Sequence, residues 1–238
     1  MRSSVAVLFA AVAALVAGCG QQDAPLPEDD AAPRAVQWRG CTAAAFADDP
    51  APAVRLPTTA GTVAVKLPTD GPCAGGLVAR VADGVAGLDV SDLDLDPRTA
   101  QVVHLRGAAD GDPVAVLRVD GGAHPRGGFQ PHLFLAQGGV DEVTTDGRPL
   151  LPFVATDGGA APMTATCTDD GGVAVLNATT SEPPGVVLAW DVERSTYRIT
   201  GAEAQPGGTE QIRDHAADPL LREEMPALFE PGALFADC

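Results

Sequence analysis

Positive charge is what this sequence has least of. Its 238 residues carry 15 Lys and Arg against 32 Asp and Glu. Only one of those cations is a lysine, Lys66. A net charge of −17 repels nucleic acid and anionic lipid headgroups. It argues against nucleic acid as a partner and against an electrostatic contact with a membrane surface. Catalytic signatures are missing as well. Beyond residue 18 the serines are Ser91, Ser181 and Ser195, and none lies in a Gly-x-Ser-x-Gly elbow. There is no Cys-x-x-Cys pair and no Cys/His ladder at zinc spacing. No glycine loop leads into a helix with a lysine for phosphates. The apolar run Ser4–Gly18 has about 15 residues, and a helix needs about 20 to span a bilayer.

That short run has the parts of an export signal. Arg2 precedes it, and small residues close it. The next residue is a cysteine. Val16-Ala17-Gly18-Cys19 resembles the lipobox of bacterial lipoproteins. The resemblance implies that the Cys19 thiol takes a diacylglyceryl group and becomes the new N-terminus. The membrane contact is then made by lipid alone, and two acyl chains anchor stably where one does not. The expected location is the cell membrane, on its extracytoplasmic face. Residues 1–18 read as the signal peptide. Residues 19–35 read as a lipidated N-terminus and tether, too poor in large apolar side chains to fold. Residues 36–238 read as the folded domain.

Four cysteines follow the anchor: Cys41, Cys73, Cys167 and Cys238. An even number in an exported chain predicts two disulfides. Three pairings are open. Cys41–Cys73 with Cys167–Cys238 is favoured, because each bond then joins residues within one half of the chain.

Short alternating or apolar segments recur along residues 36–238. They predict strands at Val54–Thr58, Thr62–Leu67, Leu77–Val81, Gln101–Leu105, Val114–Val119, His132–Ala136, Val140–Thr144 and Leu150–Val154. Further strands are expected at Thr164–Cys167, Val173–Asn177, Val186–Val192 and Thr196–Thr200, the last two as a hairpin. Asp146-Gly147 and Asp170-Gly171-Gly172 supply the positive φ of tight turns. The fold class is therefore all-β, with antiparallel sheets in a sandwich or barrel-like arrangement. One short helix is expected near the C-terminus. Asp218 would cap it, Pro219 suits its first turn, and Pro226 would kink or end it.

Three stretches are candidate sites. Asp92, Asp94 and Asp96 alternate ahead of an apolar strand, and they resemble in part the calcium loops of FG-GAP-type β proteins. That resemblance implies Ca2+. Against it, Leu95 and Pro97 stand where those loops have glycine, and no later acid completes the six to eight oxygens calcium takes. Without calcium the run is a solvated acidic turn. The second stretch, His124 to His132, sets His124, Arg126, Gln130 and His132 on a Gly/Pro-rich loop, where ligand-binding residues collect. Arg126 could take a carboxylate or phosphate, and the histidines could act near neutral pH. The plainer alternative is a structured connection with His132 lining a strand. The third, Trp190, Asp191, Arg194 and Tyr197, could stack on sugars but reads better as core.

The segment from Thr166-Cys167 to Trp190-Asp191-Val192-Glu193-Arg194-Ser195-Thr196-Tyr197 resembles the C-terminal half of a group of actinobacterial lipoproteins. The resemblance implies location and β architecture, and no activity. The function expected is a lipid-anchored envelope protein whose β domain binds a small ligand or another envelope protein, with no cofactor. The alternatives are an extracytoplasmic hydrolase of envelope material, with the His124–His132 loop lining its site, and a structural envelope component.

Overall fold

Alternation and Gly/Asp turns do produce an antiparallel β protein. The computed structural model describes residues 38, 40–82, 84–105, 114–122, 127–154, 162–180, 182 and 189–238. They fall within one compact unit, Pro33–Cys238. Cys19, His124 and Arg126 lie outside the described residues, as does the tether.

Three sheets make the fold. The first is a meander of β1 (Val54–Thr58), β2 (Gly61–Lys66), β3 (Gly76–Val81) and β4 (Gly84–Asp89). The second holds β5 (Leu95–Leu105), β6 (Val114–Gly121), β7 (Gln130–Leu135) and the two-residue β8 (Asp141–Glu142). The third contains β9 (Thr144–Thr145), β10 (Arg148–Pro149), β11 (Met163–Cys167), β12 (Gly172–Thr179), β13 (Ala189–Thr200) and β14 (Glu203–Ala217). Its spatial order is β10-β9-β14-β13-β12-β11.

The second sheet lies in the middle. One face sets Ala115, Leu117, Val119 and Phe134 against Leu56, Val65, Leu77 and Ala79 of the first sheet. The other sets Val116, Leu133 and Leu135 against Met163, Ala165, Val173 and Val175 of the third. Two cores therefore share one sheet. A sheet buried on both faces needs apolar residues at consecutive positions, which is why Val114–Val119 and Leu133–Ala136 read as near-continuous apolar runs. The outer faces are covered too. Helix α1 (Ala43–Asp48) brings Phe46 against Val78 and Val85, with Trp38 beside them. Helix α2 (Asp218–Glu224) brings Leu221 against Trp190 and Val192.

The disulfides are Cys41–Cys73 and Cys167–Cys238, the within-half pairing. Their Cα atoms lie 4.7 and 5.6 Å apart, inside the range a disulfide spans. The first ties the α1 region to the loop before β3. The second ties the last residue to β11, beside buried Leu234 and Phe235.

Several expectations are corrected. Leu150–Val154 is not a strand; only Val154 forms an isolated bridge, with Phe129. The apolar residues there are buried in an irregular segment, so hydrophobicity without a partner strand misled. Residues 189–200 contain no turn of their own but form one strand, β13, with bulges at Trp190–Glu193 and Thr196–Tyr197, and the hairpin it makes is with β14. The polar stretch Glu193–Thr196 mimics a turn because β13 leaves the core after buried Val192. Val140–Thr144 splits between two sheets at buried Val143. Asp218 is not the cap of α2: Ala217 holds that position, and Asp218 is the first helical residue. Pro226 does end the α-helix, and a 3-10 turn follows at Pro226–Phe229. Three elements lacked a clear signal: α1, β4 and β14.

Candidate functional site

The largest irregularity in the middle sheet builds a cleft. Strand β5 pairs with β6 at Asp96↔Asp120 and next at Gln101↔Arg118. Residues 97–100 of β5 thus stand opposite Val119 alone. This is an irregular bulge of four residues against one, and bulges re-aim side chains beside functional sites. Pro97 suits it, since proline cannot donate to a ladder. The bulge is pinned by its own polar groups. The Asp96 carboxylate accepts the Arg98 backbone N–H at 3.0 Å. The Thr99 hydroxyl donates to the Asp96 carbonyl at 2.7 Å and accepts the Asp120 N–H at 2.8 Å.

The bulge forms one wall of an open cleft of about 420 Å3. Asp94, Leu95, Asp96, Pro97, Arg98 and Thr99 line that wall, and Asp120, Gly121 and Phe129 complete it. A volume near 420 Å3 is in the range of small-molecule sites. Gly121 is required for the close approach of the acidic run. A Cβ there would meet the Leu93 carbonyl oxygen within bonding distance of a clash, at 2.3 Å. Asp94 sits at φ 47°, a left-handed conformation that Asp and Asn tolerate. Its carbonyl accepts the Gly122 N–H at 3.3 Å.

Two of the cleft carboxylates are already matched. Asp96 is gripped by the Arg98 guanidinium, Nε to Oδ1 at 2.9 Å and Nη2 to Oδ2 at 2.7 Å. That hydrogen bond, with the one from the Arg98 backbone, holds the Asp96 carboxyl below its ordinary range. Asp120 is buried and takes both Nε and Nη2 of buried Arg118, at 2.9 and 2.8 Å. Arg118 also donates to Gln101 Oε1 at 3.3 Å, and its Cζ lies 5.7 Å from the Phe129 ring centroid. A buried charge needs such a matched fork, because removing one partner strands the other. The Asp94 carboxylate has no hydrogen-bond or ion-pair partner among the described residues.

The structure thus brings together parts of two stretches that are distant in the chain. Asp94 and Asp96 of the acidic run meet Phe129 of the His124–His132 loop. It does not gather the acidic run into a metal site. Among the described residues no three His, Cys, Asp or Glu side chains are grouped to hold a metal ion. The physical reason is that Asp96 is committed to Arg98. Gln130 and His132 are not in the cleft lining. The Gln130 amide donates to the Leu151 carbonyl at 2.7 Å and ties the loop to the irregular segment. His132 is buried between the first two sheets, stacked near Phe134, with Nδ1 2.6 Å from Glu142 Oε1. Trp190 is core, 1% exposed, and its indole N–H donates to Asp218. Tyr197 packs half-buried against the core between the second and third sheets. Sequence reasoning missed Arg118, Asp120 and Thr99. A usable signal was present: Asp96-Pro97 marks a turn, and Arg118 and Asp120 alternate as polar residues inside an apolar strand.

The fold and cleft define a class: a disulfide-bonded antiparallel β protein of three layered sheets, with an arginine-braced cleft at one end of the middle sheet. Compared with protein-family models, with curated proteins and with solved structures, the chain matches none.

Proposed function

We propose that this chain is a lipid-anchored cell-envelope protein whose extracytoplasmic β domain binds a small molecule in the cleft at the β5 bulge. The observation that carries the reading is the cleft itself, with Asp120 in its lining held from behind by buried Arg118 and Arg98–Asp96 bracing its wall. The buried Arg118–Asp120 pair costs desolvation and adds little net stability, so a role in shaping a site is a reason for it. The cleft suits binding better than hydrolysis. A catalytic acid needs a carboxyl held in its protonated form near neutral pH. Asp96 is instead held ionised by Arg98.

Anchoring is supported by the lipobox resemblance at Cys19 and by the two disulfides, which belong to an oxidising compartment. The strongly acidic chain leaves the lipid as the only membrane contact.

Cys19→Ala tests the anchor in a bacterial host. The variant should leave the membrane fraction and lack the mass of the acyl groups carried by the wild type. Unchanged membrane association would refute the lipobox reading. The binding reading is tested by thermal melts of the full chain against cell-wall sugars and small metabolites. A ligand at one hundred times its dissociation constant stabilises by about 2.7 kcal/mol. The shift should be lost in Phe129→Ala.

A further inference from the structure

We propose that the cleft takes an organic ammonium ion, a monocation with an apolar body, through Asp94 and Phe129. The inference rests on the reading of the cleft as the binding site and names its ligand class. It follows from which charges of the lining are spent. Arg98 is closed in a two-point fork on Asp96. Arg118 is closed in a second fork on Asp120. Among the described residues no arginine at the cleft is left for a phosphate or carboxylate, so an anionic ligand finds no side-chain cation among them and meets acidic surroundings. Asp94 is the one carboxylate of the lining without a partner among the described residues. Among the described residues the cleft therefore presents a single uncompensated negative charge, the exposed Asp94 carboxylate.

A metal ion does not fit that arrangement. Calcium takes six to eight oxygens, and two of the three carboxylates here are held by arginine. An ammonium needs only one carboxylate and an apolar neighbour. Leu95, Pro97 and Phe129 supply that neighbour in the same lining. An aromatic ring also attracts a cation, as Phe129 already does with Arg118. The net charge of the chain draws cations toward the protein.

Three probes of one shape separate the charge classes: phenethylammonium, 2-phenylethanol and 3-phenylpropionate. They are titrated into the full-length protein at pH 7 and followed by ligand-observed NMR. The ammonium should bind, the alcohol about fivefold or more weaker, and the carboxylate weakest. Raising the salt tenfold should weaken the ammonium alone, because an exposed ion pair is screened. Asp94→Asn is the decisive variant. Asparagine tolerates the left-handed backbone that Asp94 adopts, so the charge goes while the turn stays. It should bring the ammonium down to the affinity of the alcohol. Phe129→Leu, which keeps the apolar volume, should weaken both probes.

Equal binding of ammonium and alcohol, or an Asp94→Asn variant that binds the ammonium as the wild type does, would overturn the assignment. So would binding of the carboxylate alone. If no probe binds but a sugar or metabolite shifts the melt and Phe129→Ala abolishes that shift, the ligand class fails and the binding reading stands. If nothing binds at the cleft, both fail.

Discussion

At the residue scale, Thr99 joins the two halves of the site. Its hydroxyl donates to the Asp96 carbonyl of its own strand and accepts from Asp120 of β6, so it closes the bulge on β5 and ties it to β6. Thr99→Val keeps the shape and removes both bonds. The Asp120 N–H then loses its acceptor beside a buried ion pair. Losing a partner for a buried polar group costs about 1–3 kcal/mol. Urea denaturation should show a fall of about that size, and ligand affinity should fall with it, because the bulge positions Asp94 and Asp96. A stability loss with affinity unchanged would mean that the bulge does not shape the site. Lys66 shows a different use of polarity. The only lysine of the chain is buried, with its Nζ 2.8 Å from the Phe46 carbonyl and 2.7 Å from that of Asp49. It holds the end of α1 onto the first sheet. A lone lysine reads in the sequence as a surface charge, because carbonyl partners leave no pattern.

At the scale of elements, α2 shows how a tertiary contact takes over a local role. Asp218 stands at the first helical position, where a cap would be one residue earlier. Its carboxylate serves Arg222 at 2.9 Å and the Trp190 indole at 2.7 Å. The Arg222 hydrogen bond first, then that of Trp190, hold the Asp218 carboxyl below its ordinary range. A carboxyl lowered in the folded state stabilises above its unfolded pKa, about 3.9 for aspartate. That contribution fades as pH falls through the folded value. Asp218→Asn should therefore be less stable than wild type at pH 7, and the gap should narrow below about pH 4. Melts of both proteins across pH 2–7 read the difference. A constant gap would mean that ionisation is not involved. Strand β14 shows the reverse case. Glu203–Ala217 contains Pro206, Gly207 and Gly208 and is exposed along most of its length. It lacks the apolar alternation that marks a half-buried strand, and pairing with β13, with one parallel bridge to β9 at Glu203, makes it one. The proline, glycines and charges also blunt it as an edge.

For the whole molecule, the two disulfides close loops of different length, with sequence separations of 32 and 71. In the chain-entropy model each contributes about 4 kcal/mol, and the longer loop slightly more. Replacing Cys167 and Cys238 by serine should cost about that much in a denaturant titration. It should also open the C-terminal segment to proteolysis, since Leu234 and Phe235 then hold only by packing and by hydrogen bonds such as that from the Phe235 N–H to the Ala165 carbonyl. A variant as stable as wild type would show that the packing suffices.

The sequence by itself determined a good deal. Alternating apolar positions and Asp/Gly turns gave the antiparallel fold class, because a strand shows its buried face at every second residue. Asp146 and Gly147 adopt the positive φ, 50° and 71°, that a tight hairpin turn demands. Cysteine count and position favoured the pairing that the structure has. What only the tertiary structure decided is the stacking and the site. The middle sheet is doubly buried because two other sheets cover it, and no local pattern names them. The cleft is made where a bulge before Gln101 meets a buried Arg118–Asp120 pair and a ring from a loop. Those groups are far apart in the chain. Their distances and the matching of their charges exist only after the sheets have formed.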